Sequence, residues 1–373
     1  MTSFAEMGVL PTLRATMSLL HITTPTEIQE RVIPELLAGN SVVGVAETGS
    51  GKTLAYTLPV LHKLKTLENE GSAVANGSEP RAIVLVPSRE LGEQVARVFK
   101  SFTHDTRLRV RVALGGVKMV VSRENTKGPF EVLVATPGRL TQLVERKGIS
   151  LADVRMIVLD EADQLLDLGF MPDVLGVVNG SREGRQLALF SATMPPAVTE
   201  LVERIFRRPV MVKSRGSHRV VASLTTLNRK VIEGRRFQLL QEVLREPSKG
   251  GTLIFTNTRE QCDKLVVQLR EVGRAVGVFR GEMDRNERRN NLKAFREGTV
   301  PILVSTDLGS RGLDVEHVTR VINYNLPKEM ENYLHRVGRT ARAGRSGSVI
   351  NFVTDRDTAL VAQLEGVKAP RRT

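Results

Sequence analysis

The chain has 373 residues, 41% hydrophobic and 25% charged, a size and balance that favour two ordinary domains, each with its own core, over one. No apolar run approaches the ~20 residues that span a bilayer, no secretory signal is expected from Met1–Leu20, and a single cysteine, Cys262, excludes an internal disulfide and suits a cytosolic location. The net charge of +13 is uneven, since residues 1–210 carry 24 Lys+Arg against 23 Asp+Glu and residues 211–373 carry 30 against 18; such a basic half points either to a polyanion partner or to a solvated basic surface.

Taken in order, short apolar runs recur that stop abruptly in polar or small residues. Val42–Val45 leads into Ala46-Glu47-Thr48-Gly49-Ser50-Gly51-Lys52-Thr53 and then a helix-like stretch. Glu68–Pro80 is rich in Gly, Ser, Asn and Glu and reads as a flexible surface loop. Ile83–Val86 runs into Pro87-Ser88-Arg89, with helical spacing over Glu90–Phe102. Val132–Ala135 runs into Thr136-Pro137-Gly138-Arg139. A strand over Val154–Leu159 runs into Asp160-Glu161-Ala162-Asp163, and Leu187–Phe190 into Ser191-Ala192-Thr193. The polar stretch between Met211 and Ser223 suits a linker. Beyond it, Leu253–Phe255 leads to Thr256-Asn257, a helix follows over Glu260–Val272, and Ile302–Val304 leads to Ser305-Thr306-Asp307.

Such runs read as buried strands of parallel sheets, and their alternation with helices predicts an open α/β fold in each half. Ligands of such sheets bind beyond the carboxyl ends of the strands, where the polar clusters fall. The expected division is 1–212 for the first domain, 213–223 for the linker, 224–366 for the second domain and 367–373 for a short basic tail.

The cluster after Val45 has the chemistry of a phosphate loop. Glycines let backbone N–H groups approach an anion, the following helix presents its positive end, Lys52 reaches the β- and γ-phosphates, and the Thr53 hydroxyl suits Mg²⁺. A Gly-rich turn before a helix is the plainer alternative. Asp160 and Glu161, at the end of another strand, suit Mg²⁺ binding and activation of an attacking water; an acidic helix N-terminus is the alternative there. With 4% aromatic residues and no Trp, contact to nucleic acid through phosphates and sugars fits better than base stacking.

Residues 160–163 spell DEAD, and from about residue 4 to 354 the chain resembles the DEAD-box RNA helicases of helicase superfamily 2. The resemblance implies two tandem RecA-like domains, each an open, mostly parallel sheet flanked by helices, with ATP and RNA bound between them. It implies an ATP-dependent RNA helicase that clamps RNA and locally unwinds short duplexes or remodels RNA–protein complexes, with ATP and Mg²⁺ as cofactors; a monomer is expected, with the oligomeric state left open by the sequence. A clamp with little unwinding and a DNA helicase on the same core are the rival functions.

Residue by residue, Phe4 and Thr24–Gln29 resemble the adenine-recognition motif, with Gln29 on the base edge. Ala46 to Thr53 resemble the phosphate loop, Asp160 and Glu161 the Mg²⁺ and water-activating pair, and Ser191-Ala192-Thr193, joined to Asp163, the motif that couples hydrolysis to strand separation. Pro87, Arg89, Gly115, Gly116, Thr136, Pro137 and Arg139 are similar to backbone contacts for RNA in the first domain. In the second, Phe255 and Thr258 match the motif at its first strand, Thr306 and Arg288 match RNA contacts, and Asp314 a ribose contact. The stretch His335-Arg336-Val337-Gly338-Arg339-Thr340-Ala341-Arg342 resembles the arginine-finger motif, implying that Arg339 and Arg342 reach the γ-phosphate and that His335 joins the coupling network. The chain departs from the family pattern at Glu47, Ser88, His21-Ile22, Arg280 and Arg285.

Overall fold

The computed structural model describes residues 2–368 except 48, 75, 215–223, 282, 311–314, 316 and 341–345, and leaves aside the side chains of residues 104, 105, 285, 308, 310, 331 and 365–368. The chain divides into two compact units, Met1–Gly216 and Ser217–Thr373.

The first unit is built on a parallel sheet of β1 (Val42–Val45), β2 (Ala82–Leu85), β3 (Val110–Ala113), β4 (Val132–Ala135), β5 (Met156–Leu159), β6 (Gln186–Ser191) and β7 (Val210–Lys213), in the order β3-β4-β2-β5-β6-β1-β7. Side chains alternate faces along a strand. Val84, Val134, Val158 and Phe190 therefore join one apolar cluster, and Ile83, Leu133, Ile157 and Leu189 the other. Helices cover both faces, which is why the central strands read as unbroken apolar runs rather than alternating ones. Gly44 of β1 lies opposite Phe190 of β6, where a Cβ would stand 2.8 Å from the ring, so only glycine fits that register.

The helices follow local rules. Arg89–Ser101 begins at Ser88, whose Oγ accepts from the Leu91 N–H at 3.2 Å. Leu91, Val95 and Phe99 then recur every fourth residue and are buried, while charged residues face out.

The second unit repeats the plan with β8 (Leu224–Lys230), β9 (Gly251–Thr256), β10 (Val276–Phe279), β11 (Ile302–Thr306), β12 (Val318–Asn323) and β13 (Gly347–Val353), all parallel, in the order β10-β11-β9-β12-β13-β8. Helix Arg259–Glu271 starts with a capping box between Thr258 and Gln261. Among the described residues no helix is long and apolar enough to cross a membrane.

Three sequence readings are refined at their ends or in their contacts. The segment Glu68–Pro80 is a surface loop from Glu70 on, tied at several points: the preceding helix runs to Asn69, Ser78 pairs with the carbonyls of Gly128 and Thr126, and Arg81 reaches back to Ser72. Its polar groups bind neighbouring loops, which composition alone does not distinguish from binding water. Lys213, expected in the linker, closes β7 opposite Val45, and the Ser214 N–H donates to the Val45 carbonyl. An edge strand of four residues carries too little periodicity to show in the sequence; the rest of the linker, 215–223, lies outside the described residues. Helix Thr358–Lys368 takes in the first two residues of the expected basic tail, and 369–373 are outside the described residues.

Candidate functional site

The carboxyl edge of the first sheet divides by strand order. The strands β5, β6 and β1 are adjacent and carry the residues expected at nucleotide; β3, β4 and β2 are adjacent and carry those expected at RNA.

On the β1 side, Gly49 and Gly51 adopt φ of 85° and 94°, conformations that glycine reaches without strain and that turn the loop tightly. Thr48 lies outside the described residues. Lys52 opens helix Lys52–Asn69. Its ammonium is buried and donates to the carbonyls of Ala46 and, at 3.2 Å, Glu47, so a positive charge is held across the mouth of the loop. Thr53 follows on the first turn, and the Ser50 hydroxyl donates to the Glu47 carbonyl at 2.8 Å.

Gln29 is brought to this loop by the helix Glu27–Leu37. Its Oε1 accepts from the Thr26 N–H at 3.0 Å and its Nε2 donates to the Gly51 carbonyl at 3.1 Å. The amide thus ties a helix start to the phosphate loop, leaving one donor and one acceptor position for a ligand. A Cβ on Gly51 would meet Nε2 at 2.4 Å, a second reason for glycine there. Phe4 is 5% exposed and packs in the apolar cluster with Met7, Val9 and Leu13.

Asp160 stands at the end of β5, 3% exposed. Its Oδ1 accepts from the Glu161 N–H at 3.0 Å and its Oδ2 from the Tyr56 phenol at 2.7 Å. Burial pushes the Asp160 carboxyl above the usual carboxylate range, against the opposing pull of Lys52 and the Tyr56 bond. Burial, then the Asp160 charge, holds the Tyr56 phenol protonated well above its ordinary range. Glu161 is buried and left-handed, with φ 51°. A non-glycine residue there costs about 1–2 kcal/mol and persists only where the surroundings fix it.

Asp163 joins β5 to β6. Its Oδ2 accepts from the Ala192 N–H, the Thr193 N–H and the Thr193 hydroxyl, each at 3.1 Å, and its N–H donates to the Ser191 Oγ at 3.2 Å. The sequence-derived coupling group of Asp163, Ser191 and Thr193 is therefore one hydrogen-bonded cluster.

On the β3 side, the Gly115 N–H donates to the Thr136 Oγ1 at 2.9 Å, and Pro137 opens the next helix. Gly116 is left-handed, with φ 76°. Arg139, expected to contact RNA, directs its guanidinium to the Val117 carbonyl at 2.6 Å and the Ser122 hydroxyl at 3.1 Å. It braces the glycine loop that the same reading assigned to phosphate. Arg89 is paired with Glu93 at 2.7 Å, one helical turn on, and Pro87 precedes that helix's cap.

In the second unit, Phe255 is buried in the core at the end of β9. Thr306 is 8% exposed, and its Oγ1 accepts from the Gly309 N–H at 3.2 Å. Arg288 lies over the Phe279 ring at 4.3 Å and donates to the Gly309 carbonyl at 3.4 Å. Arg280 pairs with Asp263 at 2.7 Å. His335 is half-buried near the end of helix Met330–Val337, and Arg339, 4% exposed, follows on the next turn. Asp314 and Arg342 lie outside the described residues, as does the side chain of Arg285.

Two residues of the site escaped the sequence reading. Tyr56 falls one turn after Lys52, and that i, i+4 spacing on one helix face was the available signal. Arg336 sits inside a motif already singled out, yet it is the largest fully buried side chain of the described residues, which no local pattern announces.

Comparison with known proteins agrees with this geometry. A family model described as DEAD/DEAH box helicase matches residues 26–201, and one described as Helicase conserved C-terminal domain matches residues 235–344. The chain is similar to ATP-dependent RNA helicase DeaD of Mycobacterium tuberculosis, 36% identical over 100% of this chain and 64% of that protein. It is also similar to DEAD-box ATP-dependent RNA helicase CshA of Bacillus cereus, 33% identical over 98% of this chain and 68% of that protein. A solved structure of S. cerevisiae Dbp5 bound to RNA and ADP BeF3 superposes with TM-score 0.85 at 29% identity, covering 98% of this chain and 93% of that one. The chain thus spans less than two thirds of the mycobacterial relative's length. On these matches, and on two parallel-sheet units carrying the motifs in order, the chain belongs to the DEAD-box helicase family.

Proposed function

We propose that this chain is an ATP-dependent RNA helicase, which couples ATP hydrolysis to gripping RNA and parting short duplexes. The observation that carries the reading is the placement of Lys52, Tyr56, Asp160 and Asp163 around the carboxyl ends of β1, β5 and β6, neighbours in one sheet, with Tyr56 bonded to Asp160. It brings a cation for phosphate, a buried carboxylate and a link to Ser191 and Thr193 onto one edge.

In this reading the phosphate loop, Ala46 to Thr53, binds the triphosphate by backbone N–H groups and Lys52. Gln29 recognises the adenine edge with its remaining donor and acceptor. Phe4, in the core, supports that region rather than stacking on the base. The hard oxygens of Thr53 and Asp160 suit Mg²⁺, which when bound neutralises phosphate charge. Glu161, fixed in its left-handed turn, orients the attacking water and accepts its proton. Asp163 passes the state of the β5 end to Ser191 and Thr193. Arg339 and Arg342 of the second domain stabilise the charge that develops on the γ-phosphate, as arginine fingers do. His335 belongs to the coupling group, and Asp314 to the ribose.

RNA is taken along its backbone by Pro87, Arg89, Gly115, Gly116, Thr136 and Pro137 in the first domain and by Thr306 and Arg288 in the second. Arg139 holds the glycine loop in shape for this. Residues 1–212 and 224–366 are the two functional domains, and the location is cytosolic, a reading that rests on the lone cysteine. Strand separation tests the proposal. A short RNA duplex should part when ATP is added, and a DNA duplex of the same sequence should not. Equal parting of both would favour the DNA helicase, and ATP-dependent RNA binding without parting would favour the clamp.

A further inference from the structure

One row of side chains in the second sheet is polar where its neighbours are apolar. Strand register aligns Asn228 of β8, Asn351 of β13, Asn323 of β12 and Phe255 of β9 on a single rung. Asn323 and Asn351 have no exposed surface, and Arg336 above them is 1% exposed. All five N–H donors of Arg336 are used. Two meet the Asp307 carboxylate, Nε at 2.5 Å and Nη2 at 2.7 Å. Nη1 donates to Asn323 Oδ1 at 3.1 Å and to the Asn325 carbonyl at 2.6 Å, and Nη2 to Asn257 Oδ1 at 2.8 Å. The guanidinium also lies 5.1 Å over the Phe255 ring.

The cation gives the row a direction. Arginine has donors only, so Asn323 must turn its oxygen toward Arg336 and its amide N–H₂ away. That N–H₂ donates to Asn351 Oδ1 at 2.8 Å, and Asn351 Nδ2 in turn donates to Asn228 Oδ1 at 2.9 Å. Flipping any amide would set donor against donor. Asn351 Nδ2 also meets the Tyr333 hydroxyl at 3.2 Å. Tyr333 and Arg336 lie one turn apart on helix Met330–Val337, so the row grips that helix twice. The turn leaving it carries Arg339, whose N–H donates to the Arg336 carbonyl at 3.1 Å.

A buried ionic and amide network adds little net stability compared with apolar packing of the same volume. What it provides is a single geometry, since each group left unpaired is costly. We infer that Asn323 and Asn351 are positioning residues for ATP hydrolysis, acting through both Arg336 and Tyr333 to set the turn that holds Arg339. The inference rests on the proposed function, because it needs Arg339 to serve the reaction.

Asn351→Leu removes the amide at similar volume. With the full chain, saturating single-stranded RNA and a temperature well below melting, kcat for ATP should fall about tenfold while KM for ATP stays within about twofold, the mark of misplacement rather than lost binding. The melting temperature should fall by several degrees, because the Asn323 amide and the Tyr333 hydroxyl lose a buried partner, with the chain still folded at the assay temperature. Tyr333→Phe deletes one hydroxyl only and should lower kcat by about threefold with the same KM, which decides the matter if Asn351→Leu fails to fold. An unaltered kcat in either folded variant would overturn the inference, as would a loss that merely tracks the folded fraction. If the unchanged chain shows no RNA-stimulated turnover, the functional reading fails first and takes the inference with it.

Discussion

The Tyr56 phenol holds Asp160 from below: a 2.7 Å hydrogen bond to Oδ2 joins the helix after the phosphate loop to the end of β5. The carboxylate so held is 3% exposed, and burial raises its proton affinity above that of the unfolded chain. A raised folded value means that the proton favours folding. Asp160 therefore costs nothing where both states are protonated, and its cost grows as pH rises through the folded value. Asp160→Asn never carries the charge. In thermal melts without nucleotide it should unfold at a higher temperature at pH 7, and the gap should close as pH falls below about 4. ATP turnover should be lost. A variant that melts lower than the unchanged chain at pH 7 would show that Lys52 and Tyr56 outweigh burial.

Asp163 gathers three donors onto one oxygen, from Ala192 and Thr193. Asp163→Ala leaves these half-buried donors without this acceptor. The expected loss is about 2–4 kcal/mol, read from denaturant midpoints. Asp163→Asn should lose less, because one amide oxygen remains to accept. Equal losses would show that the charge, not the hydrogen bonding, matters.

Much of this was legible in the letters. Val42–Val45, Val132–Ala135 and the run before Asp160 showed as strands because burial on both faces leaves a purely apolar stretch, and each ends at a candidate site residue because parallel strands end together. Edge strands were less visible: Val210–Lys213 and Leu224–Lys230 are partly exposed and mix polar residues with apolar ones. The candidate site residues that the sequence offered were those on loops with fixed spacing. Those missed, Tyr56 and Arg336, work through contacts between elements distant in sequence, 104 residues apart for Tyr56 and Asp160. Arg139 shows what the letters leave out: beside the RNA contact expected of its charge, it binds a carbonyl and a hydroxyl of the same unit.

Cys262 is fully buried, and its thiol is pushed up to about 12 by burial and then by the neighbouring Asp263 charge. Only the thiolate reacts with alkylating reagents. The native chain should therefore resist labelling at pH 8 over hours, with full labelling in denaturant. Rapid labelling of the native chain would contradict the packing of helix Arg259–Glu271 against its sheet.

Binding to RNA should be strongly salt-dependent. The net charge of +13, concentrated after residue 210, and the backbone-directed residues imply release of several counterions. Four to six phosphate contacts would give a slope of about −3 to −4 in log K against log salt for a single strand. A slope near zero would contradict recognition through the backbone.

Phosphate release from ATP, measured with and without single-stranded RNA for the unchanged chain and for Lys52→Ala, bears most directly on the whole account. Turnover should rise severalfold with RNA, respond weakly to DNA of the same sequence, and fall by at least about 100-fold in the variant. Turnover that ignores RNA, or survives the loss of Lys52, would contradict it.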